Sequence, residues 1–221
     1  MAAMRRSPAF ESLVPDARVF ALSGIVTALL TLGLVVLAGG EGRLEPGDLL
    51  PYFRAHRGRY FVSATLVLCW AVAAIAFLAG LRELLGEGRR ALASAALLLA
   101  AGGVLLFGFG TFVGFGAFFA LDAASEGLGA RLQAPYQAAI WRNMTFLLSD
   151  PGLMTLGAGQ AIFAWLAWRT TLARALTIAG LVGGVSGLLT LAVYQTPMLA
   201  LVQLAAFALW AGWIGIVLLR R

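Results

Sequence analysis

The side chains able to do chemistry are few. In 221 residues there is one histidine, His56, and one cysteine, Cys69. A lone cysteine forms no intrachain disulfide, and inside its apolar run Cys69 is expected to pack as a small hydrophobe. A zinc site at His56 would need carboxylates as its other ligands, and none clusters suitably near it. No metal and no cofactor is expected. The run Gly108-Phe109-Gly110-Thr111-Phe112-Val113-Gly114 lacks the lysine and Ser/Thr of a phosphate loop and misses the dinucleotide spacing. Asn143-Met144-Thr145 matches a glycosylation sequon, a pattern without meaning in a bacterial source.

Other polar residues sit inside apolar segments. Ser23, Thr27 and Thr31 follow an i, i+4, i+8 stripe, and Ser186 and Thr190 repeat the spacing. Hydroxyls can bond back to their own helix, so such stripes can be packing alone. Gln160 and Gln203 are harder to dismiss, because an amide in hydrocarbon needs partners. They can bond to each other as interhelical glue, or line a small polar cavity together with Thr27 and Thr190. No Arg, Asp, Glu or His lies within an apolar core. Charges there mark proton relays and ion paths, so a proton-coupled pump is disfavoured. An intramembrane hydrolase would need a nucleophile with a base, or a metal with its ligands. Neither is present, and the chain is not expected to be an enzyme.

Glycine spacing is the most specific pattern. Gly110 and Gly114 lie four apart, and Gly180, Gly183, Gly184 and Gly187 crowd one later segment. Small residues at this spacing let helices approach closely in lipid. Tight static packing is the plain reading; a substrate path or moving contact is the functional one. A role with a membrane partner or a second copy predicts that one glycine-rich face is exposed in the monomer.

These residues are carried by elements of membrane type. The chain is 61% hydrophobic and 12% charged, with a mean hydropathy of +0.91. Soluble domains carry about 25% charged residues. Spanning hydrocarbon takes about 20 apolar residues. Six segments qualify, at residues 19–38, 61–81, 91–121, 152–168, 175–193 and 198–219. The fold class is therefore all-α, a polytopic transmembrane bundle of about six helices in one domain, 1–221. The third segment would reach about 46 Å, so it protrudes or kinks near Gly102-Gly103. The fourth opens on Ser149-Asp150-Pro151, which reads as a cap with proline at the first helical position. The alternative is one long helix from Pro135 to Trp168, bent at Pro151. Before it, Tyr136, Ile140, Met144 and Leu147 share a face, as in an interfacial helix. In the first long loop Asp48 can cap a short interfacial helix carrying Leu49, Leu50, Tyr52 and Phe53. A lid over the bundle is the other reading of that helix.

All sixteen basic residues are arginine, for a net charge of +6. Most flank apolar segments, so they point to lipid headgroups and topology control rather than to nucleic acid. Arg5, Arg6, Arg18, Arg82, Arg89, Arg90, Arg169, Arg174, Arg220 and Arg221 fall on one side of a six-span layout. Arg43, Arg54, Arg57, Arg59, Arg131 and Arg142 fall on the other. The positive-inside rule then puts both termini in the cytoplasm. Trp165, Trp168 and Trp213 mark that interface, Tyr52, Tyr60, Trp141 and Tyr194 the opposite one, while Trp70 and Trp210 lie deeper. The first segment is too long and starts too late for a cleaved signal. The arginine-only, Ala- and Gly-rich composition suggests a bacterium with a GC-rich genome, and so its inner membrane.

The layout resembles a family. It combines a basic tail, the loop Asp48-Leu49-Leu50-Pro51-Tyr52, a long Gly/Phe-rich third span and a Trp-bearing stretch from Trp141 to Leu148 before Gly152-Leu153. A tight loop, Leu172-Ala173-Arg174-Ala175-Leu176, then leads into a Gly-rich fifth span. This is similar to the bacterial membrane-protein family catalogued as domain of unknown function 4386. The resemblance implies the six-helix fold, and the family has no established activity to carry over. The expected function is a non-enzymatic binding or accessory protein, with the bilayer, a second copy or a membrane subunit as partner. The alternative is a carrier or channel for a neutral or apolar small molecule.

Overall fold

The computed structural model describes residues 14–38, 48–86, 88–124, 128–168, 174–192 and 197–220. Arg5, Arg6, Arg43, Arg169, Leu172, Ala173, Tyr194 and Arg221 lie outside the described residues. What is described is all-helical: α1 (Val14–Ala38), α2 (Leu49–Ala55), α3 (Arg57–Leu85), α4 (Arg90–Ala124), α5 (Leu128–Trp168), α6 (Arg174–Ala192) and α7 (Pro197–Leu219). Among the described residues, four stretches are long and apolar enough to cross a membrane: Arg18–Leu37, Arg57–Leu85, Arg90–Ala123 and Met198–Leu219. The chain therefore has the character of a multi-pass membrane protein. α5 and α6 are not among the four. Gln160, Pro151 and several glycines dilute the apolar half of α5, and the apolar part of α6, Thr177–Thr190, is short.

The six long helices pack in chain order as a closed ring, each against the next, with α7 returning to α1. Facing residues show that neighbours run antiparallel. Gly24 and Gly80 of α1 and α3 lie against Phe77 and Phe20; Gly215 and Gly24 meet the carbonyls of Ala21 and Ala211 across α1 and α7. Outward faces carry large apolar side chains, including Leu29, Val36, Val72, Leu98 and Leu209, as a lipid-facing surface requires. Cys69 is exposed on this surface between Leu68 and Val72, not packed inside. The interior is a column of fully buried rings: Trp70, Phe77, Phe163, Phe207 and Trp210. Trp70 donates its indole N–H to Thr31 Oγ1 at 2.8 Å, which satisfies the polar edge of a ring buried in the bundle.

The tightest seam joins α4 to α5. Ala96, Ala100, Gly103, Gly110 and Gly114 meet Thr145, Ser149, Gly152, Leu156 and Gly159. The spacing alternates between three and four residues, as in a left-handed helix pair. A Cβ on Gly152 would lie 2.5 Å from the Phe107 nitrogen, and one on Gly159 would lie 2.5 Å from the Ala96 carbonyl oxygen. Backbone touches backbone here. The α5–α6 seam is similar: a Cβ on Gly184 would come within 2.7 Å of Ala161, and one on Gly180 within 2.8 Å of Ala164. Gly110, Gly114, Gly180, Gly183, Gly184 and Gly187 are all buried, so these six serve contacts within the chain.

α5 corrects the reading of Ser149-Asp150-Pro151 as a helix start. It runs unbroken for 41 residues with Pro135 and Pro151 inside it. Ser149 does not cap; its hydroxyl donates to the Thr145 carbonyl one turn back. At 1.5 Å per residue the helix reaches about 62 Å, well over a core of about 30 Å. The 35-residue α4 does not break at Gly102-Gly103 either. The two therefore rise together beyond the other helices at the end that carries α2.

Gly102 and Gly103 separate packing from propensity. Gly102 has open space at its Cβ position, while a Cβ on Gly103 would lie 2.5 Å from the Gly152 carbonyl oxygen and 2.7 Å from Leu156 Cα. Gly103→Ala should cost about 1–3 kcal/mol through overpacking. Gly102→Ala should be neutral or stabilise by roughly 0.5–1 kcal/mol. Unfolding midpoints in mixed micelles give the comparison, and equal effects of the two would refute the backbone contact.

Candidate functional site

A partly open cavity of about 290 Å³ lies at the α2 end of the ring. Every long helix contributes to it. Leu34 and Leu37 come from α1, Tyr60, Ser63 and Val67 from α3, and Phe107, Thr111 and Phe115 from α4. Arg142, Thr145, Ser149 and Asp150 come from α5, Thr190 from α6, and Ala200, Leu201 and Leu204 from α7. The volume sits at the lower edge of the roughly 300–1,000 Å³ of ligand pockets, and the mix of apolar walls with a few polar groups matches them. Below it Trp70 packs edge-on against Phe107 at 5.5 Å and lies 6.4 Å from Phe207. The rings fill the bundle there.

The polar wall belongs mainly to α5, which contributes Arg142, Thr145, Ser149 and Asp150. The hydroxyls are spent in a uniform way. Thr111 donates to the Phe107 carbonyl at 2.8 Å, Thr145 to Trp141 at 3.0 Å, Ser149 to Thr145, and Thr190 to Gly187 at 2.6 Å. A hydroxyl has one proton and two lone pairs. With the proton given to its own helix, each oxygen is left as an acceptor; that of Thr145 lies against Gly114 in the α4–α5 seam. Oδ2 of Asp150 is buried and makes no hydrogen bond among the described residues.

α2 closes the cavity from above. Asp48 stands at its start but makes no side-chain cap bond; the Tyr52 N–H reaches the Asp48 carbonyl at 2.9 Å instead. The apolar face of α2 was expected to rest on headgroups. It turns inward: Leu49, Leu50 and Phe53 are buried with Tyr60, Phe118, Leu121 and Ala138. Phe53 lies tilted 4.8 Å from Tyr60, stacks on Phe118 at 5.5 Å and meets Phe119 edge-on at 4.9 Å. Polar ties hold the same turn. Arg54 Nε binds Asp122 Oδ1 at 2.5 Å, and Arg57 pairs with the other oxygen. Arg59 donates to Tyr52 Oη at 2.9 Å and to the Leu37 carbonyl, closing the last turn of α1. His56 lies at the α2–α3 joint, stacked on Tyr52 at 4.2 Å, and bonds its carbonyl. No group of three potential metal ligands occurs among the described residues.

The four residues expected to share a polar cavity are not brought together. Thr190 lines it. Thr27 is fully buried on α1 and donates to Ser23 O at 2.7 Å. Gln203 donates to the Leu153 carbonyl at 2.6 Å, and its side chain rests on Gly187. Gln160 rests on Gly183 one turn along, fully buried, and neither amide atom finds a partner among the described residues. The two amides do not bond each other. Arg142, Asp150 and the α5 hydroxyls were missed, because Asp150 read as a cap outside the span. The signal was the proline-bent alternative: on one helix, residues 142, 145, 149 and 153 share a face.

Asp122→Asn tests the clasp. It removes the charge that Arg54 and Arg57 share, so backbone amides of 50–55 should exchange with deuterium at least several-fold faster, while those of α3 and α4 stay protected. Unchanged exchange over 50–55 would show that the aromatic contacts alone hold α2.

No family model matches the chain, and neither a curated protein nor a solved structure matches it significantly.

Proposed function

We propose that the protein is a non-enzymatic binding protein of a membrane, holding a small, mainly apolar molecule in the cavity under α2. One observation carries this reading: Trp70, Phe77, Phe163, Phe207 and Trp210 are fully buried in the bundle, yet about 290 Å³ stays open at its α2 end. A membrane bundle that only needed to pack would fill that space, since cavities cost stability. The walls suit an apolar body, and the acceptors of α5 would orient one polar group. An onward path, as in a carrier or channel, would have to cross Trp70, Phe207 and Trp210, so binding is the preferred reading.

The layout that goes with it is six passes of the bacterial inner membrane with both termini cytoplasmic. The antiparallel ring supports an even number of passes, and the arginine excess at the end opposite α2 supports the orientation. Arg89 there lies over the exposed Trp165 ring at 5.2 Å, an interfacial pairing.

Leu201→Trp places an indole in the cavity from α7. Native mass spectrometry of gently extracted protein should show a small non-lipid mass on the wild type that is lost in this variant. A wild-type protein bare of such masses would sink the reading. Separately, an enzyme reporter that works only in the cytoplasm, fused after Arg221, should be active; an inactive but expressed fusion would invert the topology.

A further inference from the structure

We infer that the cavity takes a small apolar amine, its ammonium group held by the Asp150 carboxylate and the hydroxyl oxygens of α4 and α5. This deepens the binding reading above and rests on it. The argument is one of donors and acceptors. Thr111 and Ser149 have given their protons to carbonyls of their own helices, so each can only accept. Asp150 adds a carboxylate whose Oδ2 is buried and makes no hydrogen bond among the described residues. A buried carboxylate oxygen is costly until something donates to it. An ammonium carries three donors and one positive charge, which answers the carboxylate and two hydroxyls together.

Other polar heads fit less well. A carboxylate or phosphate would bring more acceptors to a wall of acceptors and a like charge to Asp150. An alcohol offers one donor and no charge. Arg142 lines the cavity as well, but it is itself engaged within the protein. It lies eight residues from Asp150, a Cα separation of about 12 Å along the helix. Leu34, Val67, Phe107, Leu201 and Leu204 supply apolar walls for the remainder of the molecule. The space of about 290 Å³ is too small for a whole two-chain phospholipid and suits a body of one short chain or a ring or two.

The test uses the full chain in lipid nanodiscs with decylamine, decanol and decanoate as probes, each measured by equilibrium dialysis against empty nanodiscs. Decylamine should bind saturably and at least tenfold tighter than decanol, with decanoate weakest. Asp150→Asn should abolish that preference while decanol binding stays within twofold. Thr111→Val, a near-isosteric change that removes one acceptor, should weaken decylamine about threefold. Leu201→Trp should abolish binding of every probe. Decanol or decanoate binding as tightly as the amine, or an amine preference that survives both Asp150→Asn and Thr111→Val, would overturn the inference and leave cavity binding standing. No saturable binding of any probe, or binding indifferent to Leu201→Trp, would remove the cavity reading and this inference with it.

Discussion

The direct contact of the α4 and α5 backbones governs the architecture around the cavity. In hydrocarbon, apolar burial gives helices little reason to prefer each other over lipid, so association rests on packing and hydrogen bonds. Gly103, Gly152 and Gly159 meet neighbouring backbone atoms with no side chain between. That contact fixes the helices over several turns and carries both beyond the rest of the ring. It also sets what lines the cavity. Toward the α2 end the α5 seam residues become Ser149 and Thr145, which still fit only because Gly110 and Gly114 face them. The seam thus brings hydroxyls, rather than large aliphatic side chains, to the cavity edge.

The chemistry of the wall follows from a second constraint. A helix in a dry bundle makes its own carbonyls the nearest acceptors for Ser and Thr protons. The local bond that quiets a hydroxyl as a donor leaves it an acceptor toward the cavity. Beside Arg142, the charge-bearing exception on the cavity wall is Asp150. Its neighbour Pro151 lacks an N–H, so the preceding turn has one bond fewer, and the Ser149 hydroxyl adds a bond to the Thr145 carbonyl in that region. α2 is held by rings on one side and by the Arg54–Asp122–Arg57 group on the other. The arginines are about half exposed, so the ion pairs place α2 more than they stabilise it, and Phe53 does most of the holding.

Much of this was legible from residue order. Apolar run lengths located the long helices to within a few residues for α1, α6 and α7, because a run of about 20 apolar residues has few other uses. Glycine spacing marked α4 and α6 as close-packing. It left out Gly152, Gly157 and Gly159, whose segment drew attention for its proline. Ser149-Asp150-Pro151 has the local chemistry of a helix start, and local rules chose that. Tertiary packing against α4 chose continuation, and with it the place of Asp150. Gln160 and Gln203 were rightly singled out as groups in need of partners, but sequence cannot say that each faces its own glycine on α6 instead of the other. The inward turn of α2 was equally hidden, since an apolar face reads the same whether it covers lipid or protein.

The glutamines expose an asymmetry in how the ring is held. Gln203 has one firm bond, to the Leu153 carbonyl. Gln160, Thr177 Oγ1 and Trp210 Nε1 have none among the described residues. All three sit along α6: Thr177 belongs to it, Trp210 lies against Gly180 and Gln160 against Gly183. Contacts between a glycine Cα–H and an amide oxygen are weak beside an N–H bond, and each buried polar group left unbonded costs roughly 1–3 kcal/mol. The α1–α3 contact, by comparison, satisfies Trp70 through Thr31. Of these three only Thr177 belongs to α6, whose Ser186 and Thr190 bond back to the Val182 and Gly187 carbonyls. Thr190 near its far end is on the cavity wall. The glycines of α6 bring α5 and the Gln160 and Gln203 side chains against its backbone, and that contact sets where Thr190 meets the cavity.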